Sequence, residues 1–105
     1  MVFVETSVFT RQIKDLMTDE EYCRLQNRLR DNPELGAVIP GSGGIRKVRV
    51  ELEGRGRRGG ARCWYYFFQS DDRVYMLLIL PKNEQEDLTK EQLKQLKALV
   101  DREFS

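Results

Sequence analysis

The sequence predicts an α+β domain, in which helices pack on a twisted, mostly antiparallel sheet of four strands in the order β-α-α-β-β-β-α. Residues 45–53 alternate between apolar and charged side chains, as a strand with one buried face does. Residues 62–69 and 73–80 are rich in aromatic and branched side chains, which favour strands. Apolar residues with a helical period flank these segments. The 105 residues are expected to form one domain over 1–105.

The N-terminal third is predicted to form one strand and two helices. Residues 2–5 have the composition of a short strand, and Ser7 is expected to cap the first helix. The apolar face of this helix comprises Phe9, Ile13, Leu16 and Met17. Thr18 and Glu21 form a capping-box pattern for the second helix, which Asn32-Pro33 ends. Its inner face comprises Tyr22, Leu25 and Leu29.

The rest of the chain is predicted to add three strands and a last helix. Residues 36–44 are glycine-rich and are expected to form a loop. The arginine–glycine tract after residue 53 is expected to be the tip of a hairpin between the first two long strands. The strand at 73–80 is continuously apolar, which indicates burial on both faces. Thr89 and Gln92 form a second capping-box pattern at the start of the last helix.

The positive charge is concentrated in the middle of the chain. The whole chain has a formal net charge of only +1. Residues 36–70, however, carry seven Lys/Arg against two Glu, a net charge of +5, and each flank has a net charge of −2. This polarity indicates a localised anionic partner rather than the general coating of a polyanion.

The composition excludes several kinds of site. The chain has no histidine, which excludes Ser-His-Asp and Cys-His nucleophile systems and histidine metal sites. Two cysteines, Cys23 and Cys63, cannot supply a four-ligand zinc site, and both are expected to be buried thiols. No run approaches the roughly 18 apolar residues of a membrane span, and the N-terminus is too short for a signal sequence. We therefore expect a cytoplasmic protein with no membrane partner.

Four cations are predicted to meet on one face of the sheet, namely Lys47, Arg49, Arg62 and Lys82. The first two lie on the polar side of one strand, the third starts the neighbouring strand, and the fourth follows the next. Crowded cations repel one another, and a bound phosphate would relieve that repulsion. The alternative is a solvated polar face, in which Glu51 and Glu53 are the neutralising partners across the strands.

The arginine–glycine tract is a candidate for nucleic-acid contact. Arginine forks bind phosphate oxygens, and glycines let the backbone approach closely. The alternative for this tract is a solvated hairpin loop. The candidate RNA-binding residues are Arg46, Arg55, Arg57, Arg58 and Asn83. Most of the aromatic run at 64–68 is expected to lie in the core, but Tyr65 or Tyr66 could reach the surface and stack on a base.

An ordered set of motifs resembles the RelE/ParE superfamily of toxins, and within it the HigB-like branch. The motifs are Met-Val-Phe-Val-Glu-Thr at 1–6, Asn-Pro-Glu-Leu-Gly at 32–36, Gly-Gly-Ile-Arg-Lys-Val-Arg at 43–49, the arginine–glycine tract at 54–62, Tyr-Tyr at 65–66 and Lys-Asn-Glu-Gln-Glu-Asp-Leu-Thr at 82–89. The resemblance covers nearly the whole chain and implies a RelE-like fold. It also implies a bacterial type II toxin that cuts messenger RNA in the ribosomal decoding site. A helix-turn-helix, HigA-like antitoxin is the partner it implies.

The resemblance places the family's basic strand pair on Lys47 and Arg49, its arginine after the hairpin glycine on Arg62, and its basic residue after the last strand on Lys82. It departs from the family at two positions, because Asn83 and Thr89 stand where the best-studied relatives have arginine and tyrosine.

The resemblance and the composition together suggest a metal-free ribonuclease, in which the 2′-hydroxyl of the substrate is the nucleophile. Lys47 is the candidate base, Arg62 the candidate clamp for the phosphorane and Lys82 the candidate acid. No metal or organic cofactor is required. Two alternatives are a ParE-like toxin that inhibits DNA gyrase without cutting nucleic acid, and a non-catalytic module that binds RNA or the ribosome.

Overall fold

Short capping signals set the starts of the three helices. The computed structural model describes residues 1–53 and 60–104. The first helix, α1, spans Ser7–Leu16, and its cap is Thr6, not Ser7 as predicted. The Thr6 backbone is extended, and its hydroxyl accepts the Phe9 N–H at 3.0 Å. This position places the oxygen three residues before its donor, which is the spacing that a cap requires.

The capping boxes of the other two helices are confirmed. Helix α2 spans Asp19–Asp31, and at its start Thr18 and Glu21 exchange hydrogen bonds of 2.8 and 3.0 Å between side chains and backbone N–H groups. Helix α3 spans Lys90–Phe104, and Thr89 and Gln92 exchange the same pair of bonds at 2.9 and 3.1 Å. In the described part of the chain, no helix is long and apolar enough to cross a membrane.

The sheet has five strands, which are β1 (Val2–Glu5), β2 (Ala37–Val38), β3 (Arg46–Val50), β4 (Ala61–Phe68) and β5 (Arg73–Pro81). Their spatial order is β1-β5-β4-β3-β2, with β1 parallel to β5 and the other pairs antiparallel. The α+β class and the order of the predicted elements are confirmed, but the predicted count of four strands is one too low. The additional strand, β2, has only two residues and lies within the segment predicted to be a loop. Two exposed residues show no alternation, so only their pairing with β3 defines this strand.

Helices cover both faces of the sheet. The larger core lies under α1 and α2 and includes Phe9, Leu25 and Leu29 against Val48 and Tyr65. The smaller core lies under α3 and includes Ile45, Trp64, Leu77 and Val100. Because side chains alternate along a strand, the even-numbered residues at the start of β4, Arg62 and Trp64, face α3.

The two cysteines differ in exposure. Cys63 is a buried free thiol, as predicted, whereas Cys23 is a free thiol exposed on α2, so the prediction for Cys23 is wrong. The period of α2 turns Leu25 and Leu29 inward and leaves Cys23 on the solvent side.

Gly60 marks the point where the chain enters β4. Its φ is +63°, and a Cβ at this position would overlap the Val50 carbonyl oxygen on β3. The Gly60 carbonyl also accepts the Lys82 N–H at 3.0 Å. Only glycine therefore fits between the ends of β3 and β5.

Candidate functional site

Two of the predicted cations face each other across one strand pair. Arg49 of β3 and Arg62 of β4 are direct partners in the antiparallel ladder, and Lys47 lies two residues before Arg49 on the same face, opposite Trp64. Like charges placed directly opposite each other destabilise a sheet by about 0.2–1 kcal/mol. A bound anion would remove that repulsion, so the pairing favours a site that takes a phosphate.

Arg62 is buried, although its position at the start of a strand predicted an exposed charge. Its exposed fraction is 2%. The guanidinium donates to the neighbouring Ala61 carbonyl at 3.2 Å and to the Glu86 carboxylate at 3.3 Å. The segment between β5 and α3 supplies this carboxylate and folds over the β3–β4 strand pair. A long-range contact of this kind is not encoded in the local pattern around residue 62.

The same segment also neutralises Lys47. The Lys47 Nζ lies 2.6 Å from the Asp87 carboxylate and donates to the Glu86 carbonyl at 3.3 Å. Neutralisation therefore comes from two adjacent acidic residues after β5, and not from Glu51 and Glu53 as the alternative prediction had it. The Glu86 and Asp87 side chains are 53% and 80% exposed. The Glu86 carboxylate is open to solvent, so a phosphate can replace it at the Arg62 guanidinium and leave that buried charge paired with an anion.

An open cleft of about 850 Å³ joins the predicted cations to helix α2. Arg49, Arg62 and Lys82 line it from the sheet side, and two further arginines, Arg24 and Arg28, line it from α2. The α2 arginines were missed in the sequence, because the N-terminal third as a whole has a net charge of −2. Their spacing of four residues on the solvent side of a predicted helix is the signal that could have revealed them.

Glu21 holds the wall of this cleft in place. It is 7% exposed, and its two carboxylate oxygens accept the N–H groups of Thr18 and Glu53, each at 2.8 Å. The hydrogen bond from the Thr18 N–H lowers the pKa of the Glu21 carboxyl below its usual range. This single side chain therefore links the start of α2 to the segment that follows β3. Among residues 1–53 and 60–104, no group of three acidic or cysteine side chains could hold a metal ion.

Two of the predicted RNA-binding residues lie away from this cleft. Arg46 is on the α1–α2 face, opposite Tyr65, and its guanidinium donates to the carbonyls of Glu34 and Gly36 at 3.1 and 2.7 Å. Asn83 lines a separate, smaller cleft with residues of α1. The other three, Arg55, Arg57 and Arg58, lie outside the described residues.

Tyr65 does not reach the surface. Its hydroxyl donates to the Pro33 carbonyl at 2.8 Å and accepts the Gly36 N–H at 2.9 Å, and burial raises its pKa. Tyr66 is half-buried. Of the two tyrosines considered for stacking on a base, Tyr65 is therefore committed to the core.

A family model and a solved structure both relate this chain to the RelE toxins. A family model described as the RelE toxin of the RelE/RelB toxin–antitoxin system matches residues 1–104. Among solved structures, the chain is similar to a chain of the intact E. coli RelBE toxin–antitoxin complex, with a TM-score of 0.58 and 12% sequence identity. The similarity covers 74% of this chain and 92% of that chain, and at this identity it shows the fold.

The same comparison corrects the expected partner. Both findings name RelB, which is a ribbon-helix-helix protein and not a HigA-like helix-turn-helix protein. The expectation of a HigA-like antitoxin is therefore wrong. The assignment to the HigB-like branch stays a prediction.

Proposed function

The chain belongs to the RelE toxin family, and we propose that it is the toxin of a type II toxin–antitoxin system that stops translation by cutting messenger RNA on the ribosome. The observation that carries this proposal is the juxtaposition of Arg49 and Arg62 on adjacent strands, with Lys47 on the same face and Lys82 at the same cleft. Four cations on or directly after three neighbouring strands suit the charge that develops on a phosphorane. A RelB-like antitoxin is the partner that this system would contain.

The proposed reaction uses the substrate's own 2′-hydroxyl as the nucleophile. That oxygen attacks the adjacent phosphorus, its proton goes to a base, and the 5′-oxygen leaves with a proton from an acid. Arg62 is suited to hold the charged phosphorane, because burial keeps its guanidinium in one position and excludes water around it. Arg49, opposite it, is suited to bind a second phosphoryl oxygen.

The proton acceptor is assigned to the Lys47–Asp87 pair. Lys47 is the candidate base from the sequence, and the structure adds a carboxylate 2.6 Å from its Nζ. The Asp87 carboxylate can accept the proton of the 2′-hydroxyl, and its contact with the Lys47 Nζ holds it beside the strand. Lys82, which lines the same cleft as Arg62, is the candidate donor to the leaving 5′-oxygen.

This site needs help in orienting its substrate. Displacement of Glu86 by the substrate brings phosphate to Arg62, but the described residues offer few groups to fix the 2′-hydroxyl in line for attack. Correct orientation of the reactants lowers the activation free energy by about 7–11 kcal/mol in well-oriented cases. We infer that the ribosome supplies this orientation, so that free RNA is a poor substrate.

The test is cleavage of one messenger RNA in two settings at equal protein concentration. We expect cuts in RNA bound to programmed ribosomes and none in the same RNA free in solution. Asp87→Asn should retain ribosome association and lose cleavage, whereas Asp101→Asn, an exposed carboxylate at the far end of α3, is the matched control and should behave as wild type. Efficient cleavage of free RNA would contradict the requirement for the ribosome. Inhibition of DNA gyrase supercoiling without any RNA cleavage would support the ParE-like alternative instead.

A further inference from the structure

Two arginines on helix α2 extend the basic surface beyond the proposed reaction centre. Arg24 and Arg28 lie one helical turn apart, line the same cleft as Arg49, Arg62 and Lys82, and are both exposed. Residues at this spacing on a helix are about 5–6 Å apart. This separation is comparable to that of successive phosphates on a single RNA strand.

The charge of these two arginines is available to a ligand. Arg28 donates to the Arg49 carbonyl at 3.1 Å and has no carboxylate partner among residues 1–53 and 60–104. Arg24 lies 3.6 Å from the Glu53 carboxylate, and the two side chains are 52% and 81% exposed. An exposed ion pair of this kind is worth about 0–1 kcal/mol and is easily exchanged for a phosphate contact.

The carboxylates in the cleft do not cancel this charge. Among residues 1–53 and 60–104, five cations and three carboxylates line it, and one of the three, Glu21, is committed to two backbone N–H groups. The contact between Arg28 and the Arg49 backbone also fixes the helix against the strand that carries a proposed phosphate-binding residue. The cleft is therefore one continuous basic surface from α2 to Lys82.

We propose that Arg24 and Arg28 bind the sugar–phosphate backbone of the substrate RNA strand outside the scissile phosphate. This inference rests on the proposed function, because it takes Arg49 and Arg62 as the place where the scissile phosphate binds. The α2 arginines contribute affinity and direct the strand into the cleft, and they take no part in proton transfer. Contacts of this kind depend on charge and not on base sequence.

The test measures the salt dependence of RNA binding. The probe is a fluorescent single-stranded 2′-O-methyl oligoribonucleotide, which lacks the nucleophilic hydroxyl and stays intact. Each phosphate contact with a single strand contributes about 0.7 to the slope of log K against log salt concentration. Arg24→Gln/Arg28→Gln should therefore lower the slope by about 1.4. Between 50 and 200 mM salt, wild type should lose about sevenfold more affinity than this variant.

Two matched variants separate this role from general loss of charge. Arg11→Gln/Arg102→Gln removes the same charge from exposed positions that do not line the cleft, and its slope should equal that of wild type. Arg24→Lys/Arg28→Lys keeps both charges and should also keep the slope. If the double glutamine variant does not fold, Arg24→Gln alone should still lower the slope by about 0.7, since its one described contact is the exposed pair with Glu53.

Three results would overturn the inference. They are an unchanged slope in Arg24→Gln/Arg28→Gln, an equal decrease in the Arg11/Arg102 control, and the absence of salt-dependent RNA binding by wild type. Loss of antitoxin binding with an unchanged RNA slope would assign the two arginines to a protein partner and would also overturn it. Wild-type protein that shows the expected slopes but cuts no messenger RNA on programmed ribosomes would contradict the proposed function and leave the RNA-binding surface standing.

Discussion

Replacement of Arg62 by methionine separates the effect of this side chain on stability from its effect on the site. Methionine has a similar length and no charge, so Arg62→Met removes the like-charge opposition to Arg49 and fills the same buried space. Relief of that opposition stabilises the sheet by about 0.2–1 kcal/mol. Loss of the Glu86 contact costs little, because the Glu86 carboxylate is half exposed. At about 4–8 °C per kcal/mol, we expect Tm to rise by about 1–8 °C.

Glu86→Gln breaks the same ion pair from the other side and should have the opposite effect on stability. It leaves the Arg62 guanidinium buried, facing Arg49, without its one carboxylate partner among the described residues. An uncompensated buried polar group costs about 1–3 kcal/mol, and more when it is charged. We therefore expect Tm to fall in Glu86→Gln and not in Arg62→Met, measured by thermal denaturation under identical conditions.

The activity of Arg62→Met should fall in spite of its stability. Removal of one group that stabilises transition-state charge typically lowers the rate by about 10²–10³. The assay is single-turnover cleavage of messenger RNA on saturating programmed ribosomes. A Tm decrease in Arg62→Met as large as that in Glu86→Gln would show that the ion pair has a structural role. Full cleavage by the folded variant would refute the assignment of Arg62 as the phosphate clamp.

Further predictions concern four other places in the chain. Folding lowers the pKa of the Glu21 carboxyl, so this group stabilises the fold above its unfolded pKa, and the stabilisation is lost as pH falls through the folded pKa. The Tm of Glu21→Gln should therefore lie furthest below that of wild type near neutral pH, and the difference should shrink in acid. Thermal denaturation across pH measures this difference. A thiol reagent should label one cysteine per native molecule, Cys23, because burial shields Cys63 and raises its thiol pKa, and labelling of both in the native state would contradict this. Gly60→Ala should lower the free energy of unfolding by about 1–3 kcal/mol in a denaturant titration, since the left-handed backbone and the Val50 carbonyl leave no room for a Cβ. In a variant with alanine at Arg55, Arg57 and Arg58, the slope of log K for ribosome binding against log salt concentration should fall by about one for each lost phosphate contact. The single-turnover cleavage rate at saturating ribosome should stay within about tenfold of wild type. A collapse of that rate would place these arginines in the reaction centre.

Elements defined by short-range signals could be predicted from the sequence. The capping boxes at Thr18 and Thr89 each involve residues three apart, and the alternation that buries Val48 and Val50 is visible within one strand. The predicted cap of α1, Ser7, was one residue away from the observed cap, Thr6. Both residue types are good caps, and only the backbone conformation determines which one is used. Local sequence preferences therefore predicted whether each of these elements is a helix or a strand, but they did not predict its first residue.

Features that depend on distant contacts could not be predicted. Strand β2 exists only because two exposed residues pair with β3. The burial of Arg62 depends on Glu86, which lies 24 residues further along the chain. Arg28 reaches the Arg49 carbonyl over a separation of 21 residues, so its place in the cleft follows from how α2 packs on the sheet. The four-residue spacing of Arg24 and Arg28 shows that they share a face of the helix, but it does not show which strand that face meets.

Gly60 allows residues 54–59 to vary in sequence independently of the paired arginines of the proposed site. Because this glycine fixes where the chain enters β4, the alignment of Arg49 with Arg62 is set by residues 60–62 and not by residues 54–59. In general, doubling the length of the chain that connects two fixed points costs only about 0.6 kcal/mol of closure free energy. Segments of different length and charge can thus replace residues 54–59 while the paired arginines keep their register. The sequence between residues 53 and 60 is thus free to vary in length and charge without moving the four cations of the proposed site.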